Sequence, residues 1–283
     1  MTKKTEENIN PKRLAPYFIT FCSGKTGVGK SVLTLNIALQ LSLLGKKVLI
    51  WDADLHFPNQ HLLLGVEPPN RVNEVYKGEI TLSNAIFKYN NKIHLLADQP
   101  VGGYNERYDQ NTFNKIAIEL KKNYDYDYIL IDTQAGISYE LLNIANISNL
   151  VAFIITDDVT SLIDSYGLIK IFLPYINKSK FTLIVNNVID KEDGDEIAEK
   201  MNLATEKFLK IKLEYLNYIP YDRQVRQSII LQTPISLTQT ESDVAKSFSM
   251  IAKKIINKNQ FKIDNMIQKL NGKYKNKESE IIK

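Results

Sequence analysis

A glycine-rich stretch at residues 24–31 constrains the fold of this 283-residue chain more than any other feature. Its sequence, Gly-Lys-Thr-Gly-Val-Gly-Lys-Ser, matches the spacing G-x-x-x-x-G-K-[ST], with a β-rich apolar run before it and apolar residues at helical spacing after it. Glycines let such a loop curl until successive N–H groups face inward at the positive N-terminus of the helix. The pattern therefore predicts a strand, a phosphate-binding loop and a helix, in that order.

The chemistry of this loop predicts roles for single residues. Lys30 is expected to reach the β- and γ-phosphates of a nucleotide, and the Ser31 hydroxyl to ligate Mg²⁺. A second cation, Lys25, would stabilise charge at the transferring phosphate, as an arginine finger does, unless it is only an exposed, solubilising lysine. The residues of this segment expected to contact the nucleotide are Gly24, Lys25, Thr26, Gly27, Val28, Gly29, Lys30, Ser31 and Val32.

Strand-like and helix-like segments alternate along the rest of the chain. Apolar, β-rich runs occur at residues 17–22, 47–52, 93–97, 128–132, 151–156, 181–186 and 213–219, and helical patterns at 31–44, 111–123, 165–173, 195–209 and 242–257. Runs that are apolar throughout are typical of strands buried on both faces. We therefore predict an α/β fold with a doubly wound, mostly parallel sheet flanked by helices, formed by residues 14–257. Residues 1–13 are expected to be a polar extension, and residues 258–283 a separate tail.

Acidic residues follow two of the predicted strands. Asp132 ends the run 128–132, where a carboxylate beside the phosphate loop can hold Mg²⁺ through water. Asp52 and Asp54 follow the apolar residues 48–51, and residues i and i+2 of an extended segment share a face. One of this pair can support the metal while the other positions or deprotonates the attacking water. Ordinary loop-capping acids are the alternative interpretation.

Together these motifs resemble the MinD/ParA group of ATPases, whose phosphate loop carries an additional signature lysine. The resemblance covers nearly the whole chain and rests on residues 23–31, 48–55, 128–138, 160–170, 185–188 and 219–222. Within the group, the Ala-Gly-Ile-Ser ending of residues 128–138 and the Asp-x-Tyr-x-Leu-Ile-Lys segment are most similar to the FlhG regulators of flagellar number and position. The resemblance implies an ATPase that uses ATP and Mg²⁺.

The same resemblance implies more specific roles. Lys25 matches the signature lysine, which crosses a dimer interface to the partner's nucleotide. Asp54 matches the acid that activates water and Asp52 the acid near Mg²⁺. We therefore expect Lys25, Lys30 and Asp54 to act in catalysis, and Ser31 and Asp132 to hold the metal together with Asp52. Hydrolysis is expected to be slow and stimulated by a partner.

Three residues are candidates for contact with the base. By resemblance, Asn186 matches an asparagine that contacts adenine, while Pro220 and Asp222 belong to the segment that lines the base pocket. A GTPase of the Ras type recognises guanine with Asn-Lys-x-Asp, whereas residues 186–190 lack that lysine and have a different spacing. ATP is therefore favoured over GTP.

Positive charge is concentrated at the ends of the chain. The net charge is +4, but residues 253–283 carry nine lysines against three acids, so the middle of the chain is acidic. Five apolar residues between positions 261 and 270 recur at helical spacing, and a short basic amphipathic helix can lie on an anionic membrane. We expect membrane contact through residues 258–283, with a helix packed on its own domain or a disordered tail as alternatives. The acidic body argues against nucleic acid as a partner.

Cysteine content and hydropathy indicate the cellular setting. The single cysteine, Cys22, excludes a disulfide framework and a cysteine-rich zinc site. No apolar segment follows the polar residues 1–13, so no secretory signal is expected. Residues 141–156 are too few and too polar to span a bilayer. We expect a cytoplasmic protein that is peripheral on the inner face of the cytoplasmic membrane.

Several functions are compatible with these motifs. The preferred one is an ATP-driven dimerisation switch for flagellar number or placement, with a homodimer as the ATP-bound form. A flagellar GTPase or basal-body protein is then the implied partner. Division-site placement and ParA-type partitioning are alternatives within the same mechanism. A nucleotide-binding scaffold that barely hydrolyses ATP is an alternative of another class, motivated by departures from the family pattern at Thr26 and His56.

Overall fold

The computed structural model describes residues 14–99 and 110–281, without the side chains of residues 110, 111 and 266–281. Eight strands form one sheet. They are β1 (Tyr17–Cys22), β2 (Val48–Ala53), β3 (Ile86–Lys88), β4 (Ile93–Leu96), β5 (Tyr128–Thr133), β6 (Leu150–Ile155), β7 (Phe181–Val188) and β8 (Glu214–Pro220). Their order is β3-β4-β2-β5-β1-β6-β7-β8, and only β3 runs antiparallel to its neighbour. The predicted doubly wound, mostly parallel sheet is confirmed.

Helices cover both faces of the sheet. They are α1 (Lys30–Leu43), α2 (Gln60–Leu64), α3 (Val72–Tyr76), α4 (Leu82–Ala85), α5 (Gln110–Asn123), α6 (Tyr139–Ile147), α7 (Val159–Phe172), α8 (Lys191–Ala204), α9 (Arg223–Ile230), α10 (Ile235–Thr238) and α11 (Asp243–Ile281). Helices α1 and α11 share a core with one face of the sheet. Helices α5 to α8 pack on the other face. The result is the three-layer arrangement expected of a sheet that is apolar on both sides.

The central strands show no alternation of apolar and polar residues because both of their faces are buried. Every residue of β1, β2, β5 and β6 is buried, including Trp51 and Phe18, which are fully inaccessible. Burying one large apolar side chain contributes about 1.5–3 kcal/mol. Because β1, β2 and β5 are adjacent and parallel, the segments that follow them meet at one edge of the sheet.

The structure differs from the sequence prediction mainly at short elements and at helix ends. Helices α2 to α4 and strand β3 were not predicted, because elements of five residues or fewer are too short to show periodicity. Helix α7 begins at Val159 rather than at Ser165, since the Asp158 carboxylate accepts the Thr160 N–H over 2.7 Å and caps the helix there. Helix α8 ends at Ala204, and the five residues after it form a π-helical turn.

Helix α11 continues without a break past residue 257, where the sequence analysis placed the start of a tail. Lys254 donates to the Leu216 carbonyl, and Lys258 pairs with Glu214 nearer the start of β8. The helix therefore runs antiparallel to β8 towards the amino ends of the strands. Among the described residues, no helix has the length and apolarity needed to cross a membrane. Residues 1–13 and the side chains of residues 266–283 lie outside the described part of the chain.

A buried histidine on β4 makes stability depend on pH. His94 Nδ1 lies 2.7 Å from the Tyr126 hydroxyl oxygen, and burial, followed by the charges of Lys47 and Lys88, lowers the pKa of His94 from 6.5 to about 4. The folded chain keeps His94 neutral at pH values where the unfolded chain binds a proton. We therefore expect His94 to contribute a loss of unfolding free energy of about 2–4 kcal/mol as pH decreases from 6.5 towards 4. The loss is measured relative to a chain without His94, because burial raises the pKa of Asp98 to about 7, and that carboxyl acts in the opposite direction.

Urea unfolding at several pH values measures this loss. The variant His94→Gln should lack most of it, because glutamine cannot take up the proton but can still accept the Tyr126 hydroxyl. The same change at the exposed residue His56 serves as the control and should keep the full pH dependence. A His94→Gln chain that loses as much stability as the parent between pH 6.5 and 4 would contradict this explanation.

Candidate nucleotide-binding site

The loop of residues 24–31 connects the carboxyl end of β1 to α1. Gly27 and Gly29 have φ angles of 78° and 88°, in the left-handed region that favours glycine. Gly24 is required by close packing instead, because a Cβ there would lie 2.2 Å from the backbone carbonyl carbon of Asp164. The Gly24 N–H donates to Ser165 Oγ over 3.3 Å. The glycines thus allow the loop both to curl and to pack against α7.

Lys30 and Asp132 form a buried ion pair beneath this loop. Lys30 Nζ lies 2.7 Å from Asp132 Oδ1, and the two side chains are only 8% and 0% exposed. The other carboxylate oxygen, Asp132 Oδ2, accepts a hydrogen bond from Gln60 Nε2 over 2.8 Å. The same amide nitrogen donates to the Ser31 carbonyl over 3.1 Å. Gln60 therefore joins the first turn of α1 to the end of β5.

Asp52 lies beside Asp132 because β2 and β5 pair in register at these two residues. It is fully buried, and its Oδ2 accepts the N–H groups of Asn59 and Gln60, both over 2.9 Å. Burial, and next the charge of Asp132, raise the pKa of Asp52 well above its usual value. Burial beside Asp132 thus disfavours the ionised form of Asp52, and a divalent cation would favour it by offsetting the second negative charge.

The oxygen donors at this edge fit Mg²⁺. That ion usually takes one or two carboxylates, several waters and substrate phosphates. The Ser31 hydroxyl, Asp52 and Asp132 supply oxygen donors of this kind. In addition, Asn59 Oδ1 and Gln60 Oε1 are buried without a hydrogen-bond partner among the described residues. Buried acceptors normally have partners, so water molecules around a cation would satisfy them.

Asp54 lies half-buried in the loop after β2. Its Oδ1 accepts the N–H groups of His56 and Phe57 over 3.1 and 3.0 Å, an Asx-type turn. In this structure Asp54 therefore caps its own loop, as the alternative interpretation expected. The adjacent Phe57 is 78% exposed, so this loop presents an apolar group to solvent. The role of Asp54 in hydrolysis stays a prediction.

Lys25 is paired within its own chain. Its Nζ lies 2.5 Å from Asp158 Oδ2 and 2.7 Å from Thr160 Oγ1, at the N-terminus of α7. The hydrogen bond from Lys25, together with those from Thr160, holds the pKa of Asp158 well below its usual range. The Lys25 and Asp158 side chains are 38% and 44% exposed, so water screens the pair and breaking it costs little.

A cleft of about 250 Å³ opens beside the loop, at the carboxyl ends of β7 and β8. Asn186 Nδ2 donates to the Val28 carbonyl over 2.8 Å, which ties β7 to the loop. Asp222 caps α9 by accepting the Gln224 N–H over 2.8 Å. The structure thus brings together at one cleft seven of the residues predicted to bind the nucleotide, which are Gly27, Val28, Gly29, Val32, Asn186, Pro220 and Asp222.

Some residues at the site were not predicted to take part in it. Thr160 and Ser165 lie in a segment that carried the family resemblance, but no spacing in the sequence connects them with the loop. Asp158 precedes a helical pattern and could have been recognised as an N-cap. Gln60 has no sequence signal, since its contacts with α1 and β5 depend on the tertiary fold.

Fold and site together define a P-loop nucleotide-binding protein built on a doubly wound sheet, with a second lysine in its loop. The family model ParA, described as NUBPL iron-transfer P-loop NTPase, matches residues 15–256. The chain belongs to this ParA family of P-loop NTPases, and the MinD/ParA resemblance of the sequence is confirmed.

Flagellar and division proteins are among the relatives of this chain. The antiactivator FleN of Pseudomonas aeruginosa is 27% identical over 250 residues, which is 84% of this chain and 85% of FleN. The septum site-determining protein MinD of Helicobacter pylori is 31% identical over 84% of this chain and 90% of that protein. The flagellum site-determining protein YlxH of the same organism is 30% identical over 76% of this chain and 74% of YlxH.

Solved structures share the fold. The MinD cell division protein of Aquifex aeolicus has a TM-score of 0.70 at 28% identity, covering 85% of this chain and 97% of that chain. MinD of Pyrococcus horikoshii, solved in complex with Mg-ADP, has a TM-score of 0.70 at 23% identity, covering 85% of this chain and 96% of that chain. The chain is therefore an ATPase of the MinD/ParA type.

Proposed function

We propose that this chain is an ATP-driven dimerisation switch, peripheral on the cytoplasmic membrane, that regulates flagellar number or placement. The position of Lys25 is the observation that supports the proposed dimer. Lys30 already occupies the buried position beneath the loop, so the chain's own phosphate site does not need a second lysine. Lys25 lies at the surface, held by a screened pair with Asp158 and a hydrogen bond to Thr160. A cation in that position is suited to contact the phosphates of a nucleotide bound to a second copy of the chain.

Each site residue then has a task in the reaction. The N–H groups of residues 24–31 and the ammonium of Lys30 bind the phosphates, and the cleft at Asn186, Pro220 and Asp222 binds the base. Ser31, Asp52 and Asp132 would hold Mg²⁺, which would supply positive charge to offset that of the phosphates.

Two residues act on the reacting groups. Asp54 leaves its Asx-type turn, orients the attacking water and accepts its proton. Lys25 of the second copy offsets the charge that develops on the transferring phosphoryl group.

The flagellar role is supported by FleN and YlxH among the relatives, together with the segments at residues 135–138 and 164–170 that resemble FlhG proteins. Division-site placement is the second candidate, supported by the 31% identity with MinD of Helicobacter pylori. Both roles use the same switch, so only the phenotype of cells that lack the protein can distinguish them. A flagellar GTPase or a basal-body protein is the partner proposed for the first role.

Deletion of the gene tests the cellular role. We expect abnormal numbers or positions of flagella with a normal distribution of cell lengths, measured by electron microscopy. Complementation with the parent chain should restore the flagella, and complementation with Asp54→Ala should not, because hydrolysis falls by about 10²–10⁴-fold. The matched control is Glu199→Ala on the exposed surface of α8, which should complement fully.

Other outcomes assign other functions. Minicells with normal flagella would support division-site placement. Full complementation by Asp54→Ala, together with unmeasurable ATP turnover by the purified parent chain in the presence of lipid, would support the hydrolysis-poor scaffold.

A further inference from the structure

Three lysines from separate elements gather at the amino-terminal edge of the sheet. Lys121 lies near the end of α5, Lys180 directly precedes β7, and Lys262 lies on α11. Lys180 Nζ donates to the Asn146 carbonyl over 2.8 Å, and Lys262 Nζ donates to the Asn149 carbonyl over 3.0 Å. Asn146 lies in the last turn of α6, and Asn149 lies in the short connection from α6 to β6. These three lysines are termed the basic edge.

Aromatic rings at the start of β1 position two of these cations. Lys121 Nζ lies 4.9 Å from the ring centroid of Phe18, and Lys262 Nζ lies 5.2 Å from that of Tyr17. Cations above aromatic faces are held by the ring quadrupole. Because Tyr17 and Phe18 are the first two residues of β1, the basic edge surrounds the amino end of a central strand. Its ammonium groups are therefore fixed in place before any ligand binds.

The basic edge has little compensating negative charge. In the part of the chain that the structure describes, none of the three lysines forms an ion pair, and Glu214, whose charge acts on Lys262, is itself paired with Lys258. Burial lowers the pKa of all three lysines, and Lys121 lowers that of Lys180 further. Cations held together against their mutual repulsion are suited to bind phosphate oxygens.

The chain leaves the domain at this same edge. Helix α11 passes the amino ends of the strands at Lys262, and residues 263–281 add about 28 Å of helix axis beyond it. Phe261, the neighbour of Lys262, is 68% exposed. An exposed aromatic side chain beside several fixed cations fits a lipid interface, where the ring enters the headgroup region and the cations contact phosphates.

We propose that the basic edge binds the lipid phosphates of an anionic membrane, so that the body of the ATPase, and not its tail alone, lies on the bilayer. The proposal rests on the membrane association proposed above. The six residues of β1 separate the basic edge from the phosphate loop by about 20 Å, so changes at Lys121 and Lys180 leave the nucleotide site untouched.

Vesicle flotation of the full chain with ATP and Mg²⁺ tests this proposal. The vesicles contain phosphatidylcholine alone or phosphatidylcholine mixed with phosphatidylglycerol. The double variant Lys121→Gln/Lys180→Gln leaves the tail unchanged. Each lysine near an anionic surface contributes about fivefold to affinity, so we expect the double variant to bind the anionic vesicles about 25-fold more weakly. Lys191→Gln/Lys200→Gln on α8 is the matched control and should bind as the parent does.

The outcomes separate this proposal from the proposed function. If the double variant and the parent bind anionic vesicles within twofold of each other, the basic edge does not contact lipid, although the tail still binds. If the parent chain does not bind anionic vesicles, both this proposal and the membrane association in the proposed function are wrong. A double variant that loses affinity for duplex DNA but not for vesicles would overturn the proposal in favour of nucleic acid. Nucleotide affinity within twofold of the parent confirms that the variant is folded.

Discussion

Replacement of Lys25 by alanine is expected to lower ATP hydrolysis about 10³-fold, while the nucleotide affinity of each chain changes only a few fold. A cation supplied to the transferring phosphoryl group is worth about this much or more in related enzymes. Ground-state binding depends instead on the loop N–H groups and on Lys30, which the substitution does not touch. Phosphate release at saturating ATP measures the first quantity, and titration with a fluorescent ATP analogue measures the second.

Two further variants show whether the effect belongs to Lys25 itself. Asp158→Ala removes the acid that pairs with Lys25 within the chain, and it should leave hydrolysis unchanged or faster because the freed ammonium reaches a second copy more readily. Lys200→Ala on α8 removes one exposed charge far from the loop and should have no effect. If Lys25→Ala hydrolyses ATP at the rate of the parent chain, the proposed role of this residue is wrong.

Replacement of Lys30 by alanine is expected both to abolish detectable hydrolysis and to destabilise the nucleotide-free chain by about 3–5 kcal/mol. The second effect follows from the buried pair, since Asp132 would remain fully buried without its cation and beside Asp52. Chemical denaturation in the absence of nucleotide measures the stability, and phosphate release measures the activity.

The double variant Lys30→Ala/Asp132→Asn separates these two effects. An asparagine can still accept the Gln60 amide but carries no charge, so the double variant should recover most of the lost stability. It should not recover nucleotide binding, because the lysine that contacts phosphate is still missing. Equal stability of the Lys30→Ala chain and the parent would show that this ion pair contributes nothing to the fold.

The central strands and the phosphate loop could be predicted because their signals are local. Residues 17–22 are apolar throughout, and the glycines and lysines of residues 24–31 stand at fixed spacings. By contrast, α2, α3 and β3 are stabilised by packing on neighbouring elements, so their own sequences carry little information. The unbroken course of α11 past residue 257 was missed because the four polar residues 257–260 interrupt the apolar spacing between the helical patterns at 242–257 and 261–270.

The candidate site was predictable in part for a similar reason. Asp52 and Asp132 could be placed together, since parallel strands that end in acids bring them to one edge of the sheet. The pairing of Lys25 with Asp158 could not, because 133 residues separate them in the sequence. The contact depends on how α7 packs against the loop, which no local pattern indicates.

The account depends most on one claim, which is that ATP brings two copies together through Lys25. Sedimentation velocity with Mg²⁺ and a non-hydrolysable ATP analogue tests that claim directly. We predict that the parent chain sediments as a dimer with the analogue and as a monomer with ADP, and that Lys25→Ala remains a monomer in both. A parent chain that stays monomeric at saturating analogue, or a Lys25→Ala chain that dimerises as the parent does, would contradict it.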